Sequence, residues 1–267
     1  MKKRLLIIKF GGSVITDKNQ IKPMLKLSVI RNLAKEIGNL YHSKKSQIIL
    51  VHGAGSFGHP LAKKYNLQKG MKTEEQRYGF CLTDQKMIEL NSFIMQELLN
   101  FKIPVVSLPP RSFVKQAKGK FLGFNHQIVK SMLKQNIMPV LFGDAVLDDS
   151  YGCSILSGDT IITYLAKKLK AAQVIFLSDV DGIFDSDPKK NPHAKLIPEV
   201  TNKNLKQVLQ GLTINNRNDV TGEMKGKIMA IKKTLPHIPA SIISGLKPQN
   251  LVKAVEQHQI GTKLLFH

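Results

Sequence analysis

The sequence predicts an α/β fold: a three-layer αβα sandwich around a mostly parallel central sheet. Three observations predict it. Strand-type and helix-type patterns alternate from one end of the chain to the other. The strand-type segments are unbroken apolar runs, as in strands covered on both faces. Glycines recur directly after those runs, where a buried strand turns into a loop or helix.

Taken in order, Arg4–Phe10 is a short apolar run stopped by Gly11-Gly12 and reads as a buried strand. Residues 25–41 carry Leu25, Val29, Leu33, Ile37 and Leu40 at helical spacing. Ser46–His52 is a second buried strand ending in glycines. Residues 84–101 form a long amphipathic helix closed before Pro104. Residues 104–108 and Met138–Phe142 are further strands. Between them, residues 118–124 read as a short hairpin turning at Lys118-Gly119-Lys120, and Asp148-Asp149 with Gly152 mark another turn. Residues 159–171 predict a helix and Gln173–Ser178 a β-rich strand. A helix over 223–235, a strand over 240–243 and a last helix over 248–257 complete the pattern. Residues 179–218, richer in Asp, Asn, Lys and Pro, read as a loop-rich elaboration within one domain, or as the start of a nucleotide lobe.

Composition narrows the function classes. Apolar residues make up 42% of the 267 residues, which suits a globular chain with a sizeable core. Forty Lys and Arg stand against 19 Asp and Glu, a formal net charge of +21. Such an excess draws anions, either nucleic acid or phosphorylated metabolites. The basic residues are dispersed, and no basic–aromatic RNA motif or zinc spacing accompanies them, so a nucleic-acid partner is not expected. Cys81 and Cys153 are isolated thiols outside any C-x-x-C, which suggests a reducing compartment. The apolar stretch Leu5–Ile8 is stopped by Lys9 and Gly11-Gly12 after four residues, short of the ~7–15 of a signal peptide. No segment approaches the ~20 apolar residues of a membrane span. A soluble, cytoplasmic protein is the expectation.

Five segments carry candidate chemistry. In Lys9-Phe10-Gly11-Gly12-Ser13, paired glycines let backbone N–H groups approach an anion, and Lys9 at the strand end can meet the same charge. The spacing is not that of a Walker A loop, and a Gly-Gly after a strand also serves as an ordinary tight turn. Lys18 follows as a second positive charge. His52-Gly53-Ala54-Gly55-Ser56-Phe57-Gly58-His59 places three glycines after a strand, with a helix expected to begin near Pro60 and to face its N–H groups toward an anion. His59 can hydrogen-bond a phosphate oxygen, whereas His52, at the strand end, reads as structural. In Leu156-Ser157-Gly158-Asp159-Thr160, a Ser or Asp before a helix is ordinarily a cap. Among phosphate-facing lysines, Asp159 would instead hold those lysines in place. Ser178-Asp179-Val180-Asp181-Gly182-Ile183-Phe184 ends a strand in D-x-D-G, suited to a metal or a ribose but not to an EF-hand. The segment from Asp219 to Lys227 places lysines in the expected first helical turn, where the dipole disfavours cations unless an anion is shared.

These motifs, K-x-G-G-S, S-G-D, D-V-D-G-I-F and D-V-T-G-x-M-x-x-K, occur in the order found in the amino acid kinase superfamily, which the chain resembles over nearly its whole length. The segments H-G-A-G-S-F-G-H and G-G-S-V-I-T-D-K resemble more narrowly the isopentenyl phosphate kinases. That resemblance implies the amino acid kinase fold as a single domain over 1–267, with an acceptor-binding lobe of about 1–170 and a nucleotide-binding lobe of about 171–267. It implies transfer of a phosphoryl group from ATP to isopentenyl phosphate, giving the diphosphate and ADP. By match to the family's motifs, Lys9, Gly11, Gly12 and Ser13 belong to a nucleotide-phosphate loop. Lys18 matches a lysine that stabilises the transferring phosphoryl group. Ala54, Gly58 and His59 match acceptor contacts, Gly55 faces the ATP phosphates, and Gly158 contacts substrate. Asp159 is the acid that organises the lysines. Asp179, Gly182, Gly222 and Lys227 lie on the nucleotide side, together with Glu223, which stands where the family motif usually reads a second glycine. No protein metal site is implied; Mg²⁺ is expected on the ATP phosphates.

The residues themselves fit an anionic acceptor. No general base accompanies the glycine loops, and a phosphate monoester with a second pKa near ~6 is already largely ionised at neutral pH. The acceptor's tail is expected against Met87, Ile88, Phe93, Ile94 or Met95 of the long helix. A fosfomycin-type phosphonate kinase is an alternative within the fold, and a non-catalytic anion- or nucleic-acid-binding module is the alternative outside it. Glutamate 5-kinases and aspartokinases usually carry a further domain, and the sequence at hand ends at His267. A homodimer is the expected assembly.

Overall fold

The computed structural model describes residues 3–17, 23–188, 191–214, 220–256 and 258–266. Its centre is an eight-stranded sheet in the spatial order Glu199–Thr201, Thr262–Leu265, Ala240–Ser244, Gln173–Ser178, Arg4–Phe10, Ser46–His52, Met138–Phe142, Val105–Ser107. Only Ala240–Ser244 and Thr262–Leu265 pair antiparallel; every other pair in this sheet is parallel.

Side-chain alternation along the strands builds two cores. Ile7, Ile49, Val51, Val174 and Phe176 point to one face and pack against the helices Gly158–Leu169, Leu205–Ile214 and Val220–Thr234. Leu6, Ile8, Phe10, Ile48, Leu50, Ile175 and Leu177 point to the other, under the helices Leu27–His42 and Glu74–Asn100. Helices cover both faces, so the three-layer sandwich is the observed architecture. No described helix is long and apolar enough to cross a membrane.

In parallel register, Phe10 lies beside both Leu177 and His52, so three central strands end at one edge. In open α/β sheets the carboxyl ends of the strands are where ligands bind. A smaller four-stranded sheet, in the order Gly152–Leu156, Asp144–Asp148, Lys115–Ala117, Lys120–Phe121, adjoins the same edge. Its hairpin turns at Lys118 and Gly119, both at positive φ (52° and 68°), as a two-residue turn matched to strand twist requires.

Four boundaries differ from the sequence expectation. The long helix begins at Glu74, ten residues early, because Thr73 and Gln76 form a capping box. The expected helix start near Pro60 is also corrected: the helix spans Gly55–Lys64 and Pro60 sits inside it. The glycine segment is therefore itself the first turn of that helix. Residues 179–218 are not only loop. They hold the hairpin Ile183–Phe184 with Leu196–Ile197, the edge strand Glu199–Thr201 and the helix Leu205–Ile214, whose Leu205, Val208 and Leu212 are buried. The helix expected over 223–235 begins at Val220, so Lys225 and Lys227 lie beyond its first turn. The argument from an unfavourable dipole at those lysines loses its premise.

Candidate active site

The first glycine turn and the second glycine loop meet backbone to backbone. A Cβ on Gly12 would lie 2.5 Å from the amide nitrogen of Gly55, and one on Gly53 would lie 2.7 Å from the nitrogen of Gly12. No side chain fits at either position. The first turn is fixed to the sheet where Gly11 N–H donates to Leu177 O at 3.0 Å. The second loop is fixed where Gly53 N–H donates to Phe10 O at 2.9 Å. Gly55 adopts a φ of 51°, a left-handed conformation that glycine takes without strain. Its own position lies behind the cavity wall, with Gly53, Ala54, Gly58 and His59 forming the lining on that side.

Lys9 is buried at 8% exposure, an arrangement that requires a counter-charge. Its Nζ lies 2.5 Å from Asp159 Oδ1, and Lys227 Nζ lies 3.8 Å from Asp159 Oδ2. Asp159 stands in the first turn of the helix Gly158–Leu169, whose cap is Ser157, accepting from Thr160 N–H at 3.1 Å. Burial pushes the Asp159 carboxyl up, but the positive charges of Lys9 and Lys227 and the Lys9 hydrogen bond outweigh it and hold the group below its ordinary value. One carboxylate between two ammonium groups leaves one positive charge uncompensated within this trio. Lys227 also sits 5.6 Å over the ring of Phe176.

All of this faces one cavity of about 540 Å³. Lys9, Gly11, Gly12, Ser13, Ala54, Gly58, His59, Gly158, Asp159, Asp179, Gly182 and Lys227 all line it. The sequence-predicted residues from five distant segments are thus brought to one place. Lys18 lies outside the described residues. Gly222 and Glu223 fall at the start of the helix Val220–Thr234, with their side chains outside the description.

The cavity has two ends. One is bounded by Ala62, Thr83, Met87, Ala145 and Ile155, which are mostly apolar. Of the five residues expected against the acceptor's tail, Met87 lines the cavity. Ile94 is core, Met95 packs against that core, and Ile88 and Phe93 are exposed to solvent on the far side of the helix. The other end is bounded by Asp179, Gly182, Phe184, Asp187, Gly211 and Met224. There the Gly182 turn is pinned by the buried Thr262 hydroxyl, which accepts from Ile183 N–H at 2.8 Å and donates to Ile197 O at 2.6 Å.

His52 is structural, as expected. It is fully buried, stacks on Phe142 at 5.0 Å, and contacts Asn91 Oδ1 and Gly53 O. Burial depresses its pKa to about 4, so it is neutral at physiological pH.

Sequence reasoning missed three contributors. Thr16 is completely buried between the two glycine segments. Thr83 lines the apolar end from a turn of the long helix that had not been assigned. Asp144 reaches the wall from the second sheet, tied to Arg111. The Gly143-Asp144 pair after the strand Met138–Phe142 repeats the strand-then-glycine pattern that flagged other segments.

The amino acid kinase family model matches residues 4–244. An isopentenyl phosphate kinase of Methanothermobacter thermautotrophicus is 35% identical, covering 97% of this chain and 98% of its own length. One of Methanocaldococcus jannaschii is 38% identical, over 98% and 99% respectively. A solved structure of isopentenyl phosphate kinase matches with a TM-score of 0.83 and 32% identity, covering 97% of this chain and 99% of that one. With these matches and the five segments gathered at one cavity, the chain belongs to the amino acid kinase family and, within it, to the isopentenyl phosphate kinases.

Proposed function

We propose that this chain transfers the γ-phosphoryl group of ATP to isopentenyl phosphate, giving isopentenyl diphosphate and ADP. The observation that carries the reading is the single cavity shared by two abutting glycine segments and the Lys9–Asp159–Lys227 trio. Two phosphorus centres brought together repel each other. Catalysis of such a transfer is mostly positioning plus neutralisation of charge on the transferring group. Lys9, Lys227 and Lys18 supply that charge, and Asp159 keeps the first two aimed at one point. The backbone N–H groups of Gly12 and Ser13 form a preset cradle for the nucleotide phosphates, with Gly11 N–H anchoring the turn to Leu177 O.

The acceptor monoester needs no base, because its oxygen is already anionic. His59, with Ala54 and Gly58, holds that phosphate, and Gly158 flanks it. The tail lies toward Ala62, Met87 and Ile155, beside Asp144, which Arg111 holds at the wall. The nucleotide occupies the end bounded by Asp179, Gly182 and the helix carrying Gly222 and Glu223. In this reading residues of about 1–170 serve the acceptor and those of about 171–267 the nucleotide.

Among the described residues no three His, Cys, Asp or Glu side chains converge as a metal cage. In this reading Mg²⁺ is carried on the nucleotide phosphates, and Asp179 at the cavity wall is a carboxylate of the chain that could hold it. Bound there, the cation supplies neutralising charge to the phosphate oxygens. We place the enzyme in the cytoplasm as a homodimer, with Ile88 and Leu99 on one exposed face of the long helix as the apolar surface for a second copy.

An ATP-coupled assay against isopentenyl phosphate, dimethylallyl phosphate, fosfomycin, glutamate, aspartate and UMP tests the reading. The highest kcat/KM is expected with isopentenyl phosphate. A preference for fosfomycin or UMP, or no turnover with any of them, overturns it.

A further inference from the structure

The two glycine segments touch, and one buried side chain bridges them. Thr16 lies just past the short helix Gly12–Ile15 and is 0% exposed. Its hydroxyl donates to Gly12 O at 2.7 Å and accepts from Ser56 N–H at 2.9 Å. Gly12 belongs to the first turn; Ser56 is in the first turn of the helix Gly55–Lys64, which carries His59. The side chain of the same residue, with its hydroxyl oxygen nearest and its methyl next, fills the space where a Gly55 side chain would otherwise stand. A hydroxyl is the group for this position because it donates and accepts at once. Valine has the same shape and does neither.

We infer that Thr16 is a positioning residue that sets the distance between the donor-phosphate turn and the acceptor-phosphate loop. The inference rests on the phosphoryl-transfer reading given above. Each segment has its own hold on the sheet, through Gly11 N–H to Leu177 O and Gly53 N–H to Phe10 O. Lys26 Nζ independently holds Ser13 O at 2.9 Å. Loss of the Thr16 hydroxyl therefore leaves each binding segment formed while removing the side-chain bridge that fixes Ser56 against Gly12 beyond the Gly53–Phe10 anchor. In-line transfer depends steeply on that spacing, and a displacement of ~1 Å costs on the order of 10²-fold in rate. Binding of either substrate alone does not depend on it.

The test compares Thr16→Val with Thr16→Ser. Thr16→Val is expected to lower kcat by roughly 10- to 100-fold while the KM for ATP and for isopentenyl phosphate each change by less than about threefold. Thr16→Ser is expected to retain kcat within about threefold, since the hydroxyl remains. If Thr16→Val does not fold, Thr16→Ala removes the same hydroxyl and carries the same expectation. A second arm does not depend on the acceptor. When ADP is titrated into wild-type enzyme, the amide resonances of Ser56 and Gly58 should shift together with that of Gly12. The Ser56 and Gly58 shifts should persist in Thr16→Ser and vanish in the variant without the hydroxyl. Full kcat in the hydroxyl-free variant, loss through KM alone, or Ser56 and Gly58 shifts that survive in it would overturn the inference. Wild-type enzyme inactive on isopentenyl phosphate would overturn the acceptor reading instead, and the ADP arm would still decide on Thr16.

Discussion

Two partly buried charge trios flank the same cavity with opposite composition. In one, Asp159 stands between Lys9 and Lys227; in the other, Arg111 stands between Asp84 and Asp144, with Nε 2.8 Å from Asp84 Oδ1 and 3.0 Å from Asp144 Oδ2. The first has a formal charge of +1 and borders the cavity with all three members; the second has a formal charge of −1 and borders it with Asp144 alone. Their aspartates shift in opposite directions. Asp159 is held down by two cations against its burial, whereas burial drives Asp144 up to about 6, even against the guanidinium of Arg111. The difference is one of use. Flexible ammonium groups on one carboxylate can share an incoming anion. A planar guanidinium gripping two carboxylates, seated 4.9 Å over the Phe80 ring, is a strut between the long helix and the second sheet.

The sharpest way to break that comparison is to remove one cation from each trio. Lys9→Met should lower kcat by about 10³-fold, near the cost of one preorganised charge donor at a developing anion, with little change in stability. Arg111→Met should do the reverse. It leaves the fully buried Asp144 carboxylate without its cation and is expected to destabilise by about 3 kcal/mol, with kcat within a few-fold where the protein is folded. Urea melts and steady-state rates on both variants separate the two cases; a rate loss in Arg111→Met matching that of Lys9→Met would erase the distinction.

The next effect sharpens the acceptor side. His59→Ala should raise the KM for isopentenyl phosphate about 10-fold or more, the worth of a hydrogen bond to a charged group, and leave the KM for ATP within about twofold. Equal changes in both would remove His59 from the acceptor.

The smallest effect is in pH. A carboxyl whose folded pKa is raised stays protonated in the native state while the unfolded chain ionises. Asp144 should therefore make stability fall as pH rises from about 4 to about 6. Asp144→Asn should flatten that slope, and Arg111→Met should destabilise less at pH 5 than at pH 8. Asp159, with its pKa depressed, acts in the opposite sense: its contribution is present above the ordinary carboxylate range and is lost as pH falls below it.

How much of this was legible in the sequence depends on where the signal lies. The strands Arg4–Phe10, Ser46–His52, Met138–Phe142 and Gln173–Ser178 were readable to the residue, because a strand buried on both faces is an unbroken apolar run with a hard stop. The candidate turns Gly11–Ser13, Gly53–His59 and Asp179–Gly182 were readable for the same reason, since each follows such a stop. Helix starts were less so. Thr73 and Gln76 were a capping signal in plain view, but Gly79 interrupts the helical pattern. That glycine is there because the Tyr65 ring occupies the space a side chain would need. Pro60 suggested a helix start and instead sits mid-helix, since five glycine-loop residues had already begun the turn. Thr16, Arg111 and Asp144 act through tertiary partners 27 to 40 residues away, and no local spacing announces them.

The central claim is that one pocket holds two phosphorus centres side by side, with Lys9 between them. A crystal structure with a non-hydrolysable ATP analogue and isopentenyl phosphate tests it most directly. The account predicts the γ-phosphate against the Gly11–Ser13 turn, the acceptor phosphate against Ala54, Gly58 and His59, and Lys9 Nζ within hydrogen-bond reach of the transferring group. Phosphates bound in separate places, or both ligands seated away from Lys9, would contradict it.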